Sequence, residues 1–102
     1  MPANEIHVDD VGTTFSFTIG DENGLPVNLS GVDISIYLKK PDNSLVTKTP
    51  TLVNSGVGGE MQYIAVAGDL NLHGIYGLQA YLNFGLSGWY TDVQNFQVYR
   101  NL

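Results

Sequence analysis

Acidic residues and histidines are the side chains of this sequence that could bind a metal ion or transfer a proton. Two acidic clusters, Asp9-Asp10 and Asp21-Glu22-Asn23, offer the hard oxygen ligands that Ca²⁺ prefers. Their spacing does not fit the calcium-binding loop of an EF-hand, so we interpret them as a solvated strand end and a hairpin turn. His7 and His73 are the only histidines, and without cysteine or a His-x-His pair no zinc site is recognisable. We therefore expect no bound metal.

Catalytic residues are equally hard to find. A nucleophilic serine needs a neighbouring base and an orienting acid, and no serine here lies in a Gly-x-Ser-x-Gly turn. Two carboxylates that meet in space could hydrolyse a glycoside, and the sequence leaves that arrangement open. A chain of 102 residues has little surface to spare for a deep cleft, however. We expect a protein that is not an enzyme and that carries no cofactor.

Aromatic residues form the other group with a use in recognition. Trp89 and Tyr90 are adjacent, and Tyr81, Tyr37 and Tyr99 lie on predicted strands. Together they could form a patch that anchors a protein interface or stacks on sugar rings. They could equally cover the edge of the hydrophobic core, and the sequence leaves these three interpretations open.

Composition excludes several classes of partner. The net charge is −6, and the only basic residues are Lys39, Lys40, Lys48 and Arg100. Nucleic acids and anionic membranes are bound by clustered cations, so we expect neither as a partner. The sequence shows no signal peptide, no apolar run of membrane-spanning length and no cysteine. We expect a protein made in a host cytoplasm and folded as one domain over residues 1–102.

Hydrophobic and polar residues alternate along much of the chain. Phe15, Phe17 and Ile19 share one side of the segment 13–19, and two later segments alternate in the same way. A period of two predicts strands with one buried face. The predicted strands, within a few residues at each end, are 5–8, 13–19, 32–39, 45–52, 60–66, 75–84 and 89–99.

The last predicted strand changes phase, because Val93 is odd-numbered whereas the apolar Phe96 and Val98 are even-numbered. A bulge or bend near Gln94 would reconcile its two halves. Turn-forming residues separate the strands at 21–24, 40–43, 54–59 and 85–88. About seven short strands in a chain of this length predict a sandwich, with a small barrel as the alternative.

The segment 69–78 makes the fold class more specific. Immunoglobulin-like domains place a corner tyrosine near the start of strand F, two residues before a core position. Tyr76 matches the position of the corner tyrosine, and Leu78 matches the core position. At that core position leucine replaces the usual cysteine. We therefore predict an all-β, immunoglobulin-like antiparallel β-sandwich, with Asp69, Gly74, Tyr76 and Leu78 critical for the fold.

Short motifs follow one another through nearly the whole chain. They are Gly12-Thr13-Thr14-Phe15-Ser16-Phe17-Thr18-Ile19, Asp21-x-x-Gly24, Val27-Asn28-Leu29-Ser30-Gly31, Lys39-Lys40-Pro41-Asp42, Thr47-Lys48-Thr49, Ala67-Gly68-Asp69-Leu70, Gly74-Ile75-Tyr76 and Gln79-Ala80-Tyr81. In this order and at compatible spacing they resemble the N-terminal domain of phage baseplate upper proteins. The resemblance implies an immunoglobulin-like domain in a tailed-phage virion, attached to other virion proteins, often as an oligomer, with no catalytic residues.

Two functions from different classes follow as hypotheses. The first is a structural virion protein that attaches to other virion proteins, as a baseplate or tail component, an adaptor or a capsid decoration, and forms homo-oligomers in the particle. Edge strands such as 5–8 and 89–99 are natural attachment points for it. The second is a small carbohydrate-binding module for adhesion to the host surface, which predicts Trp89 and Tyr81 exposed on one face.

Overall fold

The computed structural model describes residues 5–101, and nearly all regular structure within them is β. The strands are β1 (Ile6–His7), β2 (Thr14–Thr18), β3 (Asp33–Lys39), β4 (Leu45–Lys48), β5 (Thr51–Leu52), β6 (Glu60–Ile64), β7 (Gly74–Asn83), β8 (Gly88–Tyr90) and β9 (Gln94–Tyr99). A 3₁₀ turn, Val53–Gly56, joins β5 to β6. The prediction of an all-β chain is confirmed.

The strands form two sheets that pack face to face. The larger sheet has the order β1-β9-β7-β3-β4, with β8 beside β7, and the smaller sheet has the order β2-β6-β5. Neighbouring strands are antiparallel except β1 and β9, which are parallel. The chain passes from one sheet to the other and back, as in an immunoglobulin-like sandwich. The predicted fold class is therefore confirmed, and the barrel alternative is wrong.

The predicted strand 45–52 is in fact two strands in different sheets. β4 pairs with β3 in the larger sheet, whereas β5 pairs with β6 in the smaller one. Pro50 lies between them, and proline has no N–H with which to continue a ladder. The chain therefore crosses between the sheets at Thr49-Pro50, and the structure has more strand segments than the sequence predicted.

The last predicted strand is divided by a β-bulge into β8 and β9, which pair with the same edge of β7. Between the cross-strand pairs Tyr81–Tyr90 and Leu78–Gln94, β7 contributes two residues and the other side contributes three, residues 91–93. The bulge lies just before the predicted position. The edge role predicted for the last strand is wrong where β1 covers β9, at Val98 and Tyr99.

The hydrophobic core lies between the two sheets and contains the even-numbered residues of β7. In that strand Tyr76, Leu78, Ala80 and Leu82 are all buried. The other residues of the same buried cluster are Phe17, Ile19, Leu29, Ile36, Leu38, Met61, Ala65, Leu70 and Val98. Because strand residues alternate, the odd-numbered residues of β7 point away from this core.

Candidate interaction surface

The side of the larger sheet that points away from the core carries four of the five aromatic residues singled out from the sequence. Tyr81 lies between the buried Ala80 and Leu82, and Tyr90 is its direct cross-strand partner. Tyr37 lies opposite Gln79 on the same side. We call this side the outer face, and its residues are Asp33, Ser35, Tyr37, Lys39, Leu45, Thr47, Ile75, Gly77, Gln79, Tyr81, Asn83, Gly88, Tyr90, Asn95, Gln97 and Tyr99.

Tyr81 and Tyr90 form a packed pair at one end of the outer face. Their ring centroids are 4.6 Å apart, with the planes inclined at 46°. The Tyr81 ring crosses above Gly88, where a β-carbon would lie 2.6 Å from its Cζ atom. Tyr90 remains 65% exposed. A glycine and a neighbouring ring therefore fix one tyrosine, and the second offers free aromatic surface to a partner.

A shallow trough occupies the other end of the outer face. Gly77 forms its floor. The residues around it include the exposed apolar Leu45, Ile75 and Val93, the aromatic Tyr37, and two lysines, Lys39 and Lys40. Its volume is about 420 Å³. Because Gly77 has no side chain, a protruding apolar side chain of a partner can come close to the sheet backbone here. The trough is open, so its shape suits a protein surface better than an enclosed small molecule.

Charged side chains are sparse on the outer face. Asp33 and Lys39, at opposite ends of β3, are the only aspartate, glutamate, lysine or arginine residues among the outward-facing residues in the described strands of the larger sheet. His7 lies beside Tyr99 at the edge of this sheet. The remaining residues are aromatic, aliphatic, amide, hydroxyl or glycine. The buried centres of protein interfaces are depleted of charge and enriched in tyrosine. The outer face has that composition, although the whole chain carries a net charge of −6.

The bulge holds Tyr90 in place through hydrogen bonds to Thr91. The Thr91 N–H donates to the Ala80 carbonyl over 2.9 Å, and the Ala80 N–H donates to the Thr91 Oγ1 over 2.9 Å. Gln79 Nε2 donates to the Thr91 carbonyl over 2.8 Å. A threonine side chain thus replaces the ladder bond that the extra residue interrupts.

Trp89 does not belong to the outer face. Its cross-strand partner is the buried Leu82, so its side chain points toward the space between the sheets. There its ring packs against Phe84, with centroids 4.7 Å apart, while 44% of Trp89 stays exposed. The expectation that Trp89 and Tyr81 share one face is therefore wrong, because adjacent residues 89 and 90 point in opposite directions.

The histidines and acidic clusters each lie in separate local contacts. His7 Nε2 is 3.2 Å from Glu5 Oε1, and His73 Nε2 is 3.0 Å from an Arg100 nitrogen. Asp21 Oδ1 accepts the N–H groups of the following turn, which makes it a turn residue as predicted. Nowhere between residues 5 and 101 do three histidine or acidic side chains converge as metal ligands.

Asp69 is a buried acid at the end of the sandwich. Its carboxylate accepts hydrogen bonds from the Tyr63 hydroxyl and from the Val66 N–H at 3.0 Å, and Lys48 Nζ lies 3.0 Å from Oδ1. Burial alone would raise the pKa of Asp69, but these bonds outweigh it and hold the pKa below its usual range. Burial and the bond to Asp69 also raise the pKa of Tyr63. The network ties β4 and β6 to the turn before β7.

Gly74, Tyr76 and Leu78 occupy the start of β7. Gly74 has a φ of +131° and lies against Pro41. Tyr76 and Leu78 are both fully buried, with Tyr76 bonded to the backbone of Leu72. These positions agree with a corner tyrosine and a core residue. That the fold depends on the four residues Asp69, Gly74, Tyr76 and Leu78 stays a prediction.

Four residues of this surface were not predicted from the sequence: Leu45, Ile75 and Gly77 of the trough and Thr91 of the bulge. The first two carried a usable signal, because each is an apolar residue at a position where alternation predicts an outward side chain. Thr91 carried none, since its role depends on Ala80 in another strand.

Comparison with known families gives a match that covers most of the chain. The family model described as the BppU N-terminal domain, that of baseplate upper proteins, matches residues 3–98. A search of curated proteins with this sequence gives no match. In the part of the chain that the structure describes, no helix has the length and hydrophobicity that a membrane crossing requires.

Proposed function

Because the chain belongs to the BppU N-terminal domain family, a structural domain of phage baseplates, we propose that it attaches virion proteins to one another through its outer face. Family membership implies a location in the virion and agrees with a non-enzymatic role. Within the particle the proposed place is the baseplate or tail, and an adaptor or a capsid decoration would use the same surface. We further propose that several copies assemble there.

The outer face is the observation that carries this proposal. It combines a packed tyrosine pair, Tyr81 and Tyr90, with an open trough over Gly77. Its charged side chains are few: Asp33 and Lys39 on β3, and Lys40 beside the trough. Tyrosine supplies contact area at low conformational cost, and the trough at the other end of the face can accept a side chain of the partner. Acidic residues elsewhere on the chain would keep free copies apart until a complementary surface is met.

Carbohydrate binding has less support. That hypothesis required Trp89 and Tyr81 on one face, and they lie on opposite faces of the sheet. Tyr81 and Tyr90 pack against each other at an inclined angle of 46°, which leaves no flat two-ring platform for a sugar. We therefore do not propose it.

A matched pair of substitutions tests the attachment surface. Ile75 lies on the outer face and is 56% exposed, whereas Ile64 lies on the outward side of the smaller sheet and is 45% exposed. Ile75→Asp replaces an apolar contact of the trough with a carboxylate and should prevent incorporation into particles, because that carboxylate would lose its hydration at the interface. Ile64→Asp makes the same chemical change elsewhere and should be incorporated like the parent.

The measurement is quantitative mass spectrometry of purified particles from complementation experiments, with circular dichroism to show that both variants fold. Equal incorporation of the two variants would refute the outer face as the attachment surface. If particles that carry the unaltered gene lack this chain, the structural role itself is wrong.

A further inference from the structure

We propose that the free edge of β2 binds an extended segment of another protein, which carries alternating apolar residues and at least one basic residue, by adding it as a new strand to the smaller sheet. This goes beyond attachment through the outer face. It rests on the backbone edge of β2, which belongs to the other sheet. The groove beside that edge shares only Tyr90 with the outer face.

The first observation is the backbone of β2. Hydrogen bonds from Ile19 N–H to Gly59, 2.7 Å, and from Ala65 N–H to Thr13, 2.8 Å, show that odd-numbered residues bond toward β6. The even-numbered Thr14, Ser16 and Thr18 must then direct their N–H and C=O groups to the opposite side. Within residues 5–101 β6 is the only strand paired with β2. A row of backbone donors and acceptors is thus open to an added strand.

The second observation is a groove that runs beside this edge, between the sheets. Its volume is about 370 Å³, and its lining includes Phe17, Ile19, Leu82 and Trp89. A strand added to β2 would point every second side chain toward the core side, into this groove. Backbone bonds would hold such a segment, and the groove would select apolar residues at alternate positions.

The third observation is the charge around the groove, which selects the kind of segment. Asp92 lies in the groove lining, which contains no lysine or arginine. Asp21 lies in the turn that follows β2, so it adds a second acidic residue near the same end of the strand. A basic residue in the added segment would meet these acids favourably. A second copy of this chain would bring the same acids against them, so charge disfavours pairing between copies.

A peptide-binding experiment with the full chain tests this edge. The probe is a capped peptide of about eight residues that alternates valine and threonine between terminal lysines, which is long enough to span the five residues of β2. Trp89 is the only tryptophan and lines the groove, so its fluorescence reports binding directly. We expect a saturable fluorescence change, with amide shifts in β2 by nuclear magnetic resonance.

Ser16 provides the matched variants. Ser16→Pro removes an N–H from the free edge and leaves the bonds to β6, which edge strands tolerate, whereas Ser16→Ala keeps the N–H. The proline variant should bind the peptide with an affinity lower by about tenfold or more, and the affinity of the alanine variant should stay within about twofold of that of the parent. Replacing the peptide lysines with glutamates should also weaken binding.

Any one of three results would overturn the proposal. The peptide does not bind, or a peptide that is N-methylated along its pairing edge binds equally well. In the third case, sedimentation shows that Ser16→Pro changes self-association while peptide binding stays the same. None of them bears on Ile75→Asp, so failure here is distinct from failure of the outer face.

Discussion

The hydroxyl of Tyr76 donates a hydrogen bond to the carbonyl oxygen of Leu72 over 2.8 Å and accepts one from the Leu72 N–H over 3.1 Å. These two bonds fasten the end of the loop before β7 to the strand itself. The Tyr76 ring is buried and stacks on Phe96, with centroids 5.2 Å apart. Burial raises the pKa of Tyr76, so its hydroxyl keeps the proton that it donates at neutral pH.

Removing this hydroxyl should destabilise the domain. Tyr76→Phe keeps the ring but leaves the partly buried Leu72 N–H and carbonyl without their partner, and we expect the free energy of unfolding to fall by about 1–3 kcal/mol. Urea denaturation measures the change. Tyr99→Phe is the control, because Tyr99 is an exposed residue of β9, and its effect should stay within about 0.5 kcal/mol. Equal stability of Tyr76→Phe and the parent would show that the corner bond is dispensable.

Truncation of Leu78 tests the assignment of the buried face of β7. Leu78 is fully buried between the sheets, and Leu78→Ala should cost about 2–5 kcal/mol through lost burial and the cavity left behind. Leu86→Ala, in the exposed turn after β7, should leave the midpoint of thermal unfolding almost unchanged. Similar unfolding curves for the two variants would contradict the placement of Leu78.

The local sequence predicted the faces of β2, β3 and β7, because alternation is a property of each strand by itself. Alternation also implies that the adjacent residues Trp89 and Tyr90 point in opposite directions. The predicted aromatic patch nevertheless placed both on one surface. Pro50 alone indicated that the segment 45–52 is divided into two strands. The prediction of one continuous strand over this segment did not take that proline into account.

Contacts between distant residues could not be predicted in this way. Lys48 and Asp69 meet only because β4 and the turn before β7 close the same end of the sandwich. Thr91 bonds to Ala80 only because a bulge places it there. One sequence specifies which residues are buried or exposed in each strand, but not which strands become neighbours.

Two glycines of β7 should respond in opposite ways to the same substitution. Gly74 has a φ of +131°, and a β-carbon there would lie 2.9 Å from Pro41 atoms, so Gly74→Ala should destabilise by about 1–3 kcal/mol. A β-carbon at Gly77 would meet its nearest atoms at 3.6 Å, an ordinary contact. Gly77→Ala should therefore keep or slightly raise stability. Thermal unfolding compares them, and a reversed order would be incompatible with this backbone.

Gly77→Ala also separates stability from attachment. The added methyl group fills the floor of the trough, so this variant should fold at least as well as the parent while entering particles less efficiently. Mass spectrometry of particles gives the incorporated amount. Full incorporation would mean that no partner side chain reaches Gly77.

The bulge predicts a difference between two substitutions of Thr91. Thr91→Ser retains the oxygen that accepts the N–H of the buried Ala80, whereas Thr91→Val has nearly the same shape without an acceptor. We expect the valine variant to lose about 1–3 kcal/mol and the serine variant less than about 1 kcal/mol. Hydrogen exchange at the Ala80 amide should accelerate in the valine variant. If valine and serine protect that amide equally, the threonine hydroxyl is not its partner.

Asp69 should give the domain a specific sensitivity to acid. Its pKa in the folded chain is lower than the ordinary value of 3.8, so its contribution to stability is complete above that pH and is lost as the pH falls through the folded pKa. Asp69→Asn removes the charge that binds Lys48 and Tyr63, and it should cost about 1.5–3 kcal/mol at neutral pH. The difference in unfolding free energy between parent and variant should then shrink as the pH falls below 3.8. Denaturation curves across this range measure it, with Asp33→Asn at the exposed end of β3 as the control, for which the difference should stay within about 0.5 kcal/mol. A difference for Asp69→Asn that does not change with pH would mean that packing of its side chain, and not the charge, stabilises this end of the sandwich.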